Sequence, residues 1–391
     1  MQLSARSQSI QPSATLSISA RGAELLAEGV DVVGFGAGEP DFPTPEPVKE
    51  AGRQAIDDNF TGYTAASGHS DLKKAVINKL KRDQGLQYTT DQISIGCGAK
   101  HVLYNLMGTL LDPGEEALLF APYWVSYPQQ IRYFGGRPNI VDTSGSDFKP
   151  DPDRVREAIT DKTRLMLINS PSNPTGNIYS RSLLKELAEI AVEEDIYLVS
   201  DEIYEKLIYG DSQHHSSATF SDEIRRRTII VNGVSKAYSM TGWRIGFAAG
   251  PAEVIEKVNT LMSHSTSNPC SISQRAAIKA LELPDSEIAG MVEEFGARRD
   301  RIHEMLNEIE GVSCLKPGGA FYAFPDVSGL IESKEGVETD MQLASRLLDD
   351  VHVATVPGTP FGAPGFMRLS YANSMERIEE GVSRIAEWAA T

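Results

Sequence analysis

Short apolar runs alternate with longer amphipathic segments through the middle of the chain. Segments such as SLLKELAEIAVEED (182–195) place apolar residues three and four positions apart, which predicts helices. Short apolar strands that alternate with helices are typical of a mostly parallel sheet covered on both faces, so we predict an α/β fold. The predicted strands of this sheet are ISIG (93–96), EALLFA (116–121), RLMLIN (164–169), IYLVS (196–200) and TIIVN (228–232).

The pattern changes after the proline-containing break at ELPDS (282–286). Strands of a second, smaller sheet are predicted in YAFPDV (322–327), VHVATVPG (351–358) and FMRLSYA (366–372). The last helical pattern covers 375–390. At the other end of the chain, a predicted helix over 15–28 leads into GAGEPDFPTP (36–45), a crossing segment rich in glycine and proline.

Length and composition narrow the class of protein. A chain of 391 residues suggests about two domains. Its 41% hydrophobic and 23% charged residues are typical of a soluble globular protein. The net charge of −17 argues against nucleic acid as the main partner. No apolar run approaches the ~20 residues that span a bilayer, and no signal segment is evident, so we expect a cytoplasmic protein without a membrane partner.

The cysteines and histidines indicate neither a disulfide framework nor a metal centre. Cys97, Cys270 and Cys314 are far apart in the sequence and form no Cys-x-x-Cys pair. The seven histidines include no His-Glu-x-x-His pattern, and His214-His215 lie in a polar stretch typical of a solvated loop. We predict free thiols in a reducing compartment and no metal site.

Polar side chains follow three of the predicted strands. In chain order they are Asn173 in SPSNPTG, Asp201 and Tyr204 in DEIY, and Lys236 in GVSKAYS. Singly, each has an ordinary structural explanation, such as a turn for Asn-Pro-Thr-Gly or a helix cap for an acid at a strand end. Because the carboxyl ends of parallel strands meet at one edge of a sheet, these groups together predict one site.

A glycine turn precedes these residues in the sequence. The segment ISIGCGAKHVLYNL predicts a strand, a turn at Gly98 and a helix that begins near Ala99. Free N–H groups at a helix N-terminus bind phosphate well. The alternative, a dinucleotide site with a Gly-x-Gly-x-x-Gly motif, is disfavoured because His101 stands where the third glycine is needed.

The chemistry of these groups suits one cofactor. The glycine turn and an arginine suit a phosphate, Asp201 suits a protonated ring nitrogen, and Lys236 suits an aldehyde. Asn173 and Tyr204 suit an oxygen that accepts hydrogen bonds, and Trp124 in APYWVSYP suits the face of a flat ring. Pyridoxal 5'-phosphate combines all of these features.

An ordered series of motifs resembles the fold-type I pyridoxal-phosphate aminotransferases, especially the prokaryotic aspartate aminotransferases. The motifs span nearly the whole chain: PSATLSISA, GAGEPDF, GYTAASG, APYWVSYP, NSPSNPTG, VSDEIY, VSKAYSMTGWRIGF, PGTPFG and FMRLSYA. The resemblance implies a large cofactor domain (46–285) with a mostly parallel, seven-stranded type of sheet. It also implies a smaller α+β domain formed by both chain ends (1–45 with 286–391) and a homodimer with shared active sites.

The resemblance implies three catalytic residues, Lys236, Asp201 and Tyr204. Lys236 corresponds to the lysine that forms a Schiff base with the cofactor and then moves the substrate's α-proton. Asp201 would keep the ring nitrogen protonated. The other implied cofactor contacts are Asn173 and Tyr204 at the phenolic oxygen, Trp124 on the ring face, and Gly98, Ala99 and Arg244 at the phosphate.

Two further residues are implied to act in the neighbouring subunit. Tyr63 in GYTAASG corresponds to a tyrosine that reaches the partner's cofactor phosphate, and Asn268 is implied to approach the same site. The chain departs from many relatives at Gly233, where they carry a serine that contacts the phosphate. Other phosphate ligands are expected to compensate.

For the substrate, the resemblance implies that Arg368 in FMRLSYA binds the α-carboxylate, with Gly38 adding a backbone contact and Trp124 and Asn173 lying alongside. A dicarboxylic substrate needs a second cation. No arginine precedes Ser-Asn-Pro in LMSHSTSNP, but GAKHVLYNL supplies Lys100 at the position used by one subgroup. This favours transfer of an amino group from L-aspartate to 2-oxoglutarate, giving oxaloacetate and L-glutamate.

Other activities on the same scaffold stay open. They are transamination of alanine, aromatic amino acids or prephenate, and β-elimination by a lyase. Gln11 stands where prephenate-active relatives often carry a basic residue, which disfavours prephenate. A regulator that joins this fold to a DNA-binding module would need a further domain, and we expect none.

Overall fold

The structure, a computed structural model, describes residues 3–12 and 14–391. Ser13 in the PSATLSISA motif lies outside the described residues. The strands are β1 (Val33–Gly34), β2 (Ile93–Gly96), β3 (Glu116–Ala121), β4 (Arg137–Asp142), β5 (Thr163–Asn169), β6 (Tyr197–Asp201), β7 (Thr228–Gly233), β8 (Gly246–Ala249), β9 (Tyr322–Ala323), β10 (Val353–Ala354), β11 (Val356–Pro357) and β12 (Met367–Ser370).

Seven of these strands form the central sheet, in the order β2-β8-β7-β6-β5-β3-β4. Strand β8 is antiparallel to both of its neighbours, β2 and β7, and the remaining pairs are parallel. The predicted α/β class with a mostly parallel sheet is confirmed. The five strands predicted from apolar runs are all present, with ends shifted by at most one residue.

The apolar runs did not predict β4 and β8. Strand β4 (RPNIVD) lies at the edge of the sheet and is largely exposed, so its sequence lacks the apolar run of a buried strand. Strand β8 (GFAA) is buried but has only four residues, three of them small. Neither pattern differs enough from a loop to be recognised alone.

The described helices are α1 (Ala5–Gln8), α2 (Ala14–Ala27), α3 (Glu46–Asp57), α4 (Ser70–Gln84), α5 (Ala99–Leu110), α6 (Ser126–Tyr133), α7 (Pro152–Ala158), α8 (Arg181–Glu193), α9 (Asp222–Arg225), α10 (Ala252–Ser263), α11 (Ser271–Glu282), α12 (Ser286–Asn307), α13 (Ser328–Ser333), α14 (Asp340–Val351) and α15 (Met375–Ala390). Among the described residues, no helix combines the length and the apolar composition needed to cross a membrane.

Helices cover both faces of the central sheet. Along β5, Leu165 and Leu167 belong to an apolar cluster with α5 and α10, whereas Met166 and Ile168 belong to a cluster with α8 on the other face. This alternation is what a strand buried on both faces requires. The start of α8 is fixed by Ser180, whose hydroxyl accepts a hydrogen bond from the backbone N–H three residues later.

Smaller sheets lie at the two ends of the chain. Strands β11, β12 and β9 form an antiparallel sheet, and β1 pairs in parallel with β10. Next to this pair, Arg377 and Arg384 of α15 bind the Asp31 carboxylate with N–O distances of 2.9 and 2.5 Å. The N-terminal segment therefore packs on the C-terminal part of the chain. The division into 46–285 and 1–45 with 286–391 stays a prediction.

Candidate active site

A cavity of about 660 Å³ opens at the carboxyl ends of β5, β6 and β7. Ligands bind at this edge in open α/β sheets. The cavity wall is completed by the crossing segment 36–39 and by β12. The predicted site residues that line it are Gly38, Ala99, Lys100, Trp124, Asn173, Asp201, Tyr204, Lys236, Arg244 and Arg368.

Asp201, the last residue of β6, lies at the bottom of the cavity with only 4% of its surface exposed. Its carboxylate accepts hydrogen bonds from Tyr127 Oη at 2.7 Å and from the Ile203 N–H at 3.2 Å. Burial raises the pKa of Asp201 to about 6, and these hydrogen bonds oppose the shift. The carboxylate is thus held in one orientation but lacks full compensation for its lost hydration.

Lys236 lies in the connection that follows β7, and its Nζ atom donates a hydrogen bond to the carbonyl of Gly38. Burial lowers the pKa of this amine to about 8, against the attraction of Glu39 and with the help of the Arg244 charge. An ordinary lysine is almost fully protonated at neutral pH. Here a usable fraction of the amine is neutral and nucleophilic.

An anion cradle lies at the N-terminus of α5, beside Arg244. Gly98 precedes the helix with φ of 87°, and a Cβ there would lie 2.5 Å from Arg244 Nη2. Arg244 Nη1 donates to the Thr241 carbonyl at 2.8 Å, and Nη2 donates to the Cys97 carbonyl at 3.3 Å. The first N–H groups of a helix have no intrahelical acceptor, so they and the guanidinium can bind one anion.

The pairing of β7 with β8 explains why glycine stands three residues before Lys236. Gly233 on β7 pairs with Gly246 on the antiparallel strand β8. A Cβ at Gly233 would lie 2.8 Å from the Ile245 carbonyl oxygen and 2.9 Å from Gly246 Cα. Backbone atoms cannot yield to such a contact as a flexible side chain can. A serine is therefore excluded unless β7 and β8 separate.

Trp124 and Lys100 form the side wall of the cavity. The Lys100 Nζ atom lies 4.8 Å from the centre of the Trp124 ring, within the range of a cation–π contact. Burial lowers the pKa of Lys100, and the charge of Arg244 adds to this effect. Since both causes disfavour the ammonium, a bound carboxylate would stabilise it.

Arg368 is a fully buried arginine on β12, with 1% of its surface exposed. Its Nη1 atom donates to Asn173 Oδ1 at 3.0 Å and its Nη2 atom to the Gly36 carbonyl at 2.9 Å. The guanidinium also lies 4.5 Å from the centre of the Tyr322 ring. Its Nε is buried and has no hydrogen-bond partner within the described residues. The guanidinium is therefore fixed in position, but its Nε–H does not donate a hydrogen bond within the described residues.

The Tyr204 hydroxyl lies 2.9 Å from Tyr322 Oη, so a hydrogen bond joins the two tyrosines. Both rings are buried, and burial raises the pKa of each phenol. Asn169, at the end of β5, accepts the Asn173 N–H at 2.8 Å and donates to the Asp201 carbonyl at 3.1 Å. These bonds tie the ends of neighbouring strands together around the cavity.

A buried ionic cluster adjoins Asp201 in the sequence. Glu202, Glu205 and His214 bring potential ligand atoms within 4.8 Å of one another. However, the Lys79 ammonium contacts Glu205, and the amide of Gln84 donates to both carboxylates at 3.1 Å. His214 Nε2 also lies 3.2 Å from Glu202 Oε2, so groups of the protein already act as partners of these carboxylates. The prediction that His214 lies in a solvated loop is wrong, because only 8% of its side chain is exposed.

The model of the "Aminotransferase class I and II" family matches residues 30–385. The chain belongs to this family of aminotransferases. It is 47% identical to an aspartate aminotransferase of Bacillus sp. (strain YM-2), and the alignment covers 98% of each chain. It is 45% identical to a probable aspartate/prephenate aminotransferase of Aquifex aeolicus, over 98% of this chain and 97% of that one.

Among solved structures, this aminotransferase resembles the aspartate aminotransferase from Thermus thermophilus with maleate. The TM-score is 0.93, the sequence identity is 42%, and the match covers 99% of each chain. Together with the family model, these comparisons confirm the predicted family, fold and enzyme class. The aminotransferase acts on amino acids and 2-oxo acids, as its family does.

Three residues predicted for the site do not line the cavity of the aminotransferase. Gly98 lies just behind it, beside Arg244. Tyr63 is 93% exposed and does not contact the cavity of its own chain. Asn268 Nδ2 donates to the neighbouring Pro269 carbonyl, also outside the cavity. The predicted roles of Tyr63 and Asn268 in a partner subunit stay predictions.

Sequence reasoning missed several residues of this aminotransferase site. Tyr127 follows Trp124 by three positions in APYWVSYP, and their ring centres lie 5.3 Å apart, but Trp124 precedes α6, so helical periodicity gives no signal for this pair. Glu39 directly follows Gly38 and accepts a hydrogen bond from Thr241 Oγ1 at 2.6 Å. No sequence signal separates Tyr322 from an ordinary core tyrosine.

Proposed function

We propose that this aminotransferase moves the amino group of L-aspartate to 2-oxoglutarate, with pyridoxal 5'-phosphate as its cofactor. The observation that carries the proposal is the cavity itself. It combines the perturbed amine of Lys236 with the buried carboxylate of Asp201 and an anion cradle at Arg244. Two further cations, Arg368 and Lys100, line the same space and suit a substrate with two carboxylates.

The donor set fits the cofactor. Asp201 is buried with a raised pKa, so a cation beside it would restore its preference for the charged form, and a protonated ring nitrogen is such a cation. The cradle at Gly98 and Arg244 leaves room that a Cβ would fill, and it suits a phosphate. When bound, pyridoxal phosphate supplies an aldehyde that captures amino groups and a ring that withdraws electrons.

Lys236 is the group that moves the substrate's α-proton. Its pKa of about 8 leaves a neutral fraction of the amine that can accept this proton and later return it. Its Nζ is directed toward the Gly38 carbonyl, on the side where the crossing segment 36–39 closes the cavity. Tyr204 and Asn173 would hold the cofactor through hydrogen bonds, and Trp124 would provide an aromatic contact for its ring.

Arg368 orients the substrate by its α-carboxylate. Its guanidinium is already held by Asn173 and Gly36, so its rotamer costs little further entropy when a carboxylate binds. Lys100 then receives the second carboxylate of aspartate or glutamate. The match to a Thermus thermophilus enzyme whose structure holds maleate, a four-carbon dicarboxylate, supports this assignment.

We also propose that the protein is a homodimer in which Tyr63 and Asn268 enter the partner's site. The exposure of the Tyr63 ring supports this arrangement. The large domain would span 46–285 and the small domain 1–45 with 286–391. Three free cysteines, Cys97, Cys270 and Cys314, suit a cytoplasmic location.

The test is a panel of amino donors assayed with 2-oxoglutarate. We expect aspartate to give a kcat/KM at least about tenfold above that of alanine, phenylalanine or, with glutamate as donor, prephenate. A higher value for any of these would overturn the proposed specificity. Separately, borohydride reduction and peptide mapping should place the cofactor on the peptide that contains Lys236. A label on another peptide would overturn the assigned role of Lys236.

A further inference from the structure

Gln274 on α11 is a fully buried side chain that joins two separate segments of the chain. Its Oε1 atom accepts a hydrogen bond from the His69 N–H at 2.7 Å. Its Nε2 atom donates to Thr64 Oγ1 at 2.9 Å and to the Pro269 carbonyl at 2.8 Å. Both N–H groups and the oxygen of one carboxamide are therefore used.

The first segment that Gln274 holds is the connection 58–69 between α3 and α4, which carries Tyr63. Thr64, the residue bonded to Gln274, directly follows Tyr63. Tyr63 is 93% exposed in the single chain. Tyrosine is enriched in protein interfaces, so this exposure suits a contact with a partner subunit. The residue next to Tyr63 is thus held by Gln274, while the Tyr63 side chain is exposed.

Other contacts hold the two sides of this connection. The Ser67 carbonyl accepts a hydrogen bond from the Ile95 N–H of β2 at 3.1 Å. The guanidinium of Arg275 lies 4.2 Å from the centre of the Phe60 ring. Gln274 bonds to Thr64, which lies between these two contacts in the sequence and next to Tyr63. We therefore expect Gln274 to fix the position of the middle of the connection 58–69.

The second segment that Gln274 holds contains Asn268. The Pro269 carbonyl accepts one hydrogen bond from Gln274 and another from Asn268 Nδ2, at 2.7 Å. The two residues expected to reach the partner, Tyr63 and Asn268, are therefore connected to one carboxamide. A change at Gln274 should move both of them together.

We propose that Gln274 is a positioning residue for the active site of the neighbouring subunit. It fixes Thr64 and Pro269, and through them the geometry in which Tyr63 and Asn268 reach the partner. This rests on the proposed function, in which the partner's cofactor phosphate receives Tyr63. It follows that Gln274 serves the site whose Lys236 belongs to the other chain.

Two substitutions separate hydrogen bonding from volume at this position. Gln274→Met keeps the length of the side chain and removes all three hydrogen bonds. Gln274→Glu keeps an acceptor for the His69 N–H but replaces the donors to Thr64 and Pro269 by a carboxylate. Thr64→Val removes the bond between Gln274 and Thr64 from the other side, at a half-buried residue where a substitution disturbs the core less than one at Gln274 does.

The experiment uses heterodimers that carry two different affinity tags and are purified over both. In the first, one chain carries Gln274→Met and the other carries Lys236→Ala. The remaining lysine-bearing site then receives Tyr63 from a chain with intact Gln274. In the second, both substitutions lie on one chain and the other is unchanged. The remaining site then receives Tyr63 from the chain that lacks Gln274.

We expect the first heterodimer to retain about half of the unsubstituted activity and the second to fall about tenfold below the first. The opposite order would show that Gln274 acts on its own chain's site and would overturn the proposal, as would equal activities. If Gln274→Met does not fold, Gln274→Glu and Thr64→Val must give the same order.

Tyr63→Phe, tested in the same two arrangements, separates this inference from the proposed function. If Tyr63→Phe gives the expected order and Gln274→Met does not, the inference about Gln274 is wrong. If Tyr63→Phe itself lacks the expected order, the shared site in the proposed function is wrong.

A binding measurement provides a second readout. Equilibrium dialysis of pyridoxal phosphate should give a Kd about tenfold higher for the Gln274→Met homodimer. Ser273→Ala, which removes a buried hydroxyl one residue earlier on the same helix, should leave Kd unchanged. An unchanged Kd in Gln274→Met would contradict the proposal.

Discussion

The floor of the cavity comes from strand ends that lie side by side in the central sheet, whereas its rim comes from the two ends of the chain. The floor carries Asp201 and Lys236, and its geometry follows from the register of β5, β6 and β7. The rim carries the crossing segment 36–39 and Arg368. Hydrogen bonds from Lys236 to Gly38 and from Arg368 to Gly36 tie the crossing segment down.

This difference suggests that the floor carries out proton transfer and that the rim binds the substrate. Groups in the floor are held by a buried sheet and can keep perturbed pKa values, as Asp201 and Lys236 do. In the rim, Arg368 is fixed by hydrogen bonds to Asn173 and Gly36, and its proposed role is to bind the substrate carboxylate rather than to move a proton. Changes in the floor should therefore reduce kcat, and changes in the rim should mainly raise KM or alter specificity.

The largest effect should come from the floor. Lys236→Ala removes the only group assigned to move the α-proton, so kcat should fall by at least about 10⁴-fold. The variant should still bind the cofactor, because the other contacts remain. Steady-state assays and absorbance spectra would measure both properties. Lys257→Ala, an exposed lysine on α10, should behave as the unsubstituted enzyme. Normal turnover by Lys236→Ala would remove the distinction between floor and rim.

A change in the rim should act on binding. Arg368→Lys keeps the charge but loses the planar pair of donors, so KM for aspartate and 2-oxoglutarate should rise roughly tenfold to a hundredfold. The value of kcat should change less than KM does. Arg301→Lys on α12 serves as the control, because Arg301 is partly exposed and pairs with Glu379. A loss confined to kcat would mean that Arg368 belongs with the floor.

Substitution of Lys100, in the side wall of the cavity, tests whether this residue makes the site specific for dicarboxylic substrates. Lys100→Ala should lower kcat/KM for aspartate about tenfold, because one charge-assisted hydrogen bond to the distal carboxylate is lost. Alanine has no such carboxylate, so its kcat/KM should remain nearly constant. Parallel kinetics with both donors would measure this ratio. Equal losses for the two donors would remove the case for a dicarboxylate pocket.

The smallest effect should appear on changing the pH. Capture of pyridoxal phosphate by the cofactor-free protein requires the neutral Lys236 amine. With a pKa of about 8, the neutral fraction rises as pH rises through this value. The capture rate should therefore fall about fivefold between pH 8 and pH 7, and stopped-flow absorbance would follow it. A rate that keeps rising up to pH 10 would mean that the amine is not perturbed by its surroundings.

The sequence was sufficient to predict the floor of the cavity. Asp201 ends an apolar strand, Asn173 and Lys236 lie within four residues of the ends of two others, and parallel strands place such residues at one edge. The position of Arg244 needed only the motif that also contains Lys236. These predictions were possible because the relevant structure is local in the sequence.

Contacts between distant parts of the chain could not be predicted in the same way. Tyr127 and Asp201 are 74 positions apart, and Tyr204 and Tyr322 are 118 positions apart, yet each pair is joined by a hydrogen bond. Gln274 and its partners depend on the packing of α11 beside the connection 58–69. Such pairs follow from tertiary packing, which hydrophobic periodicity does not specify.

The reversed direction of β8 has a consequence for how the protein can change during evolution. Strands β7 and β8 are antiparallel neighbours, so the connection 234–245 returns at once and carries both Lys236 and Arg244. In an all-parallel sheet, a helical crossover would separate two such residues. The proposed nucleophile, Lys236, and the proposed phosphate ligand, Arg244, are thus encoded in one short segment of the chain. An insertion within this connection would displace Lys236 relative to Arg244, whereas the connection 143–151 that follows β4 lines no part of the cavity and can vary in length without this effect.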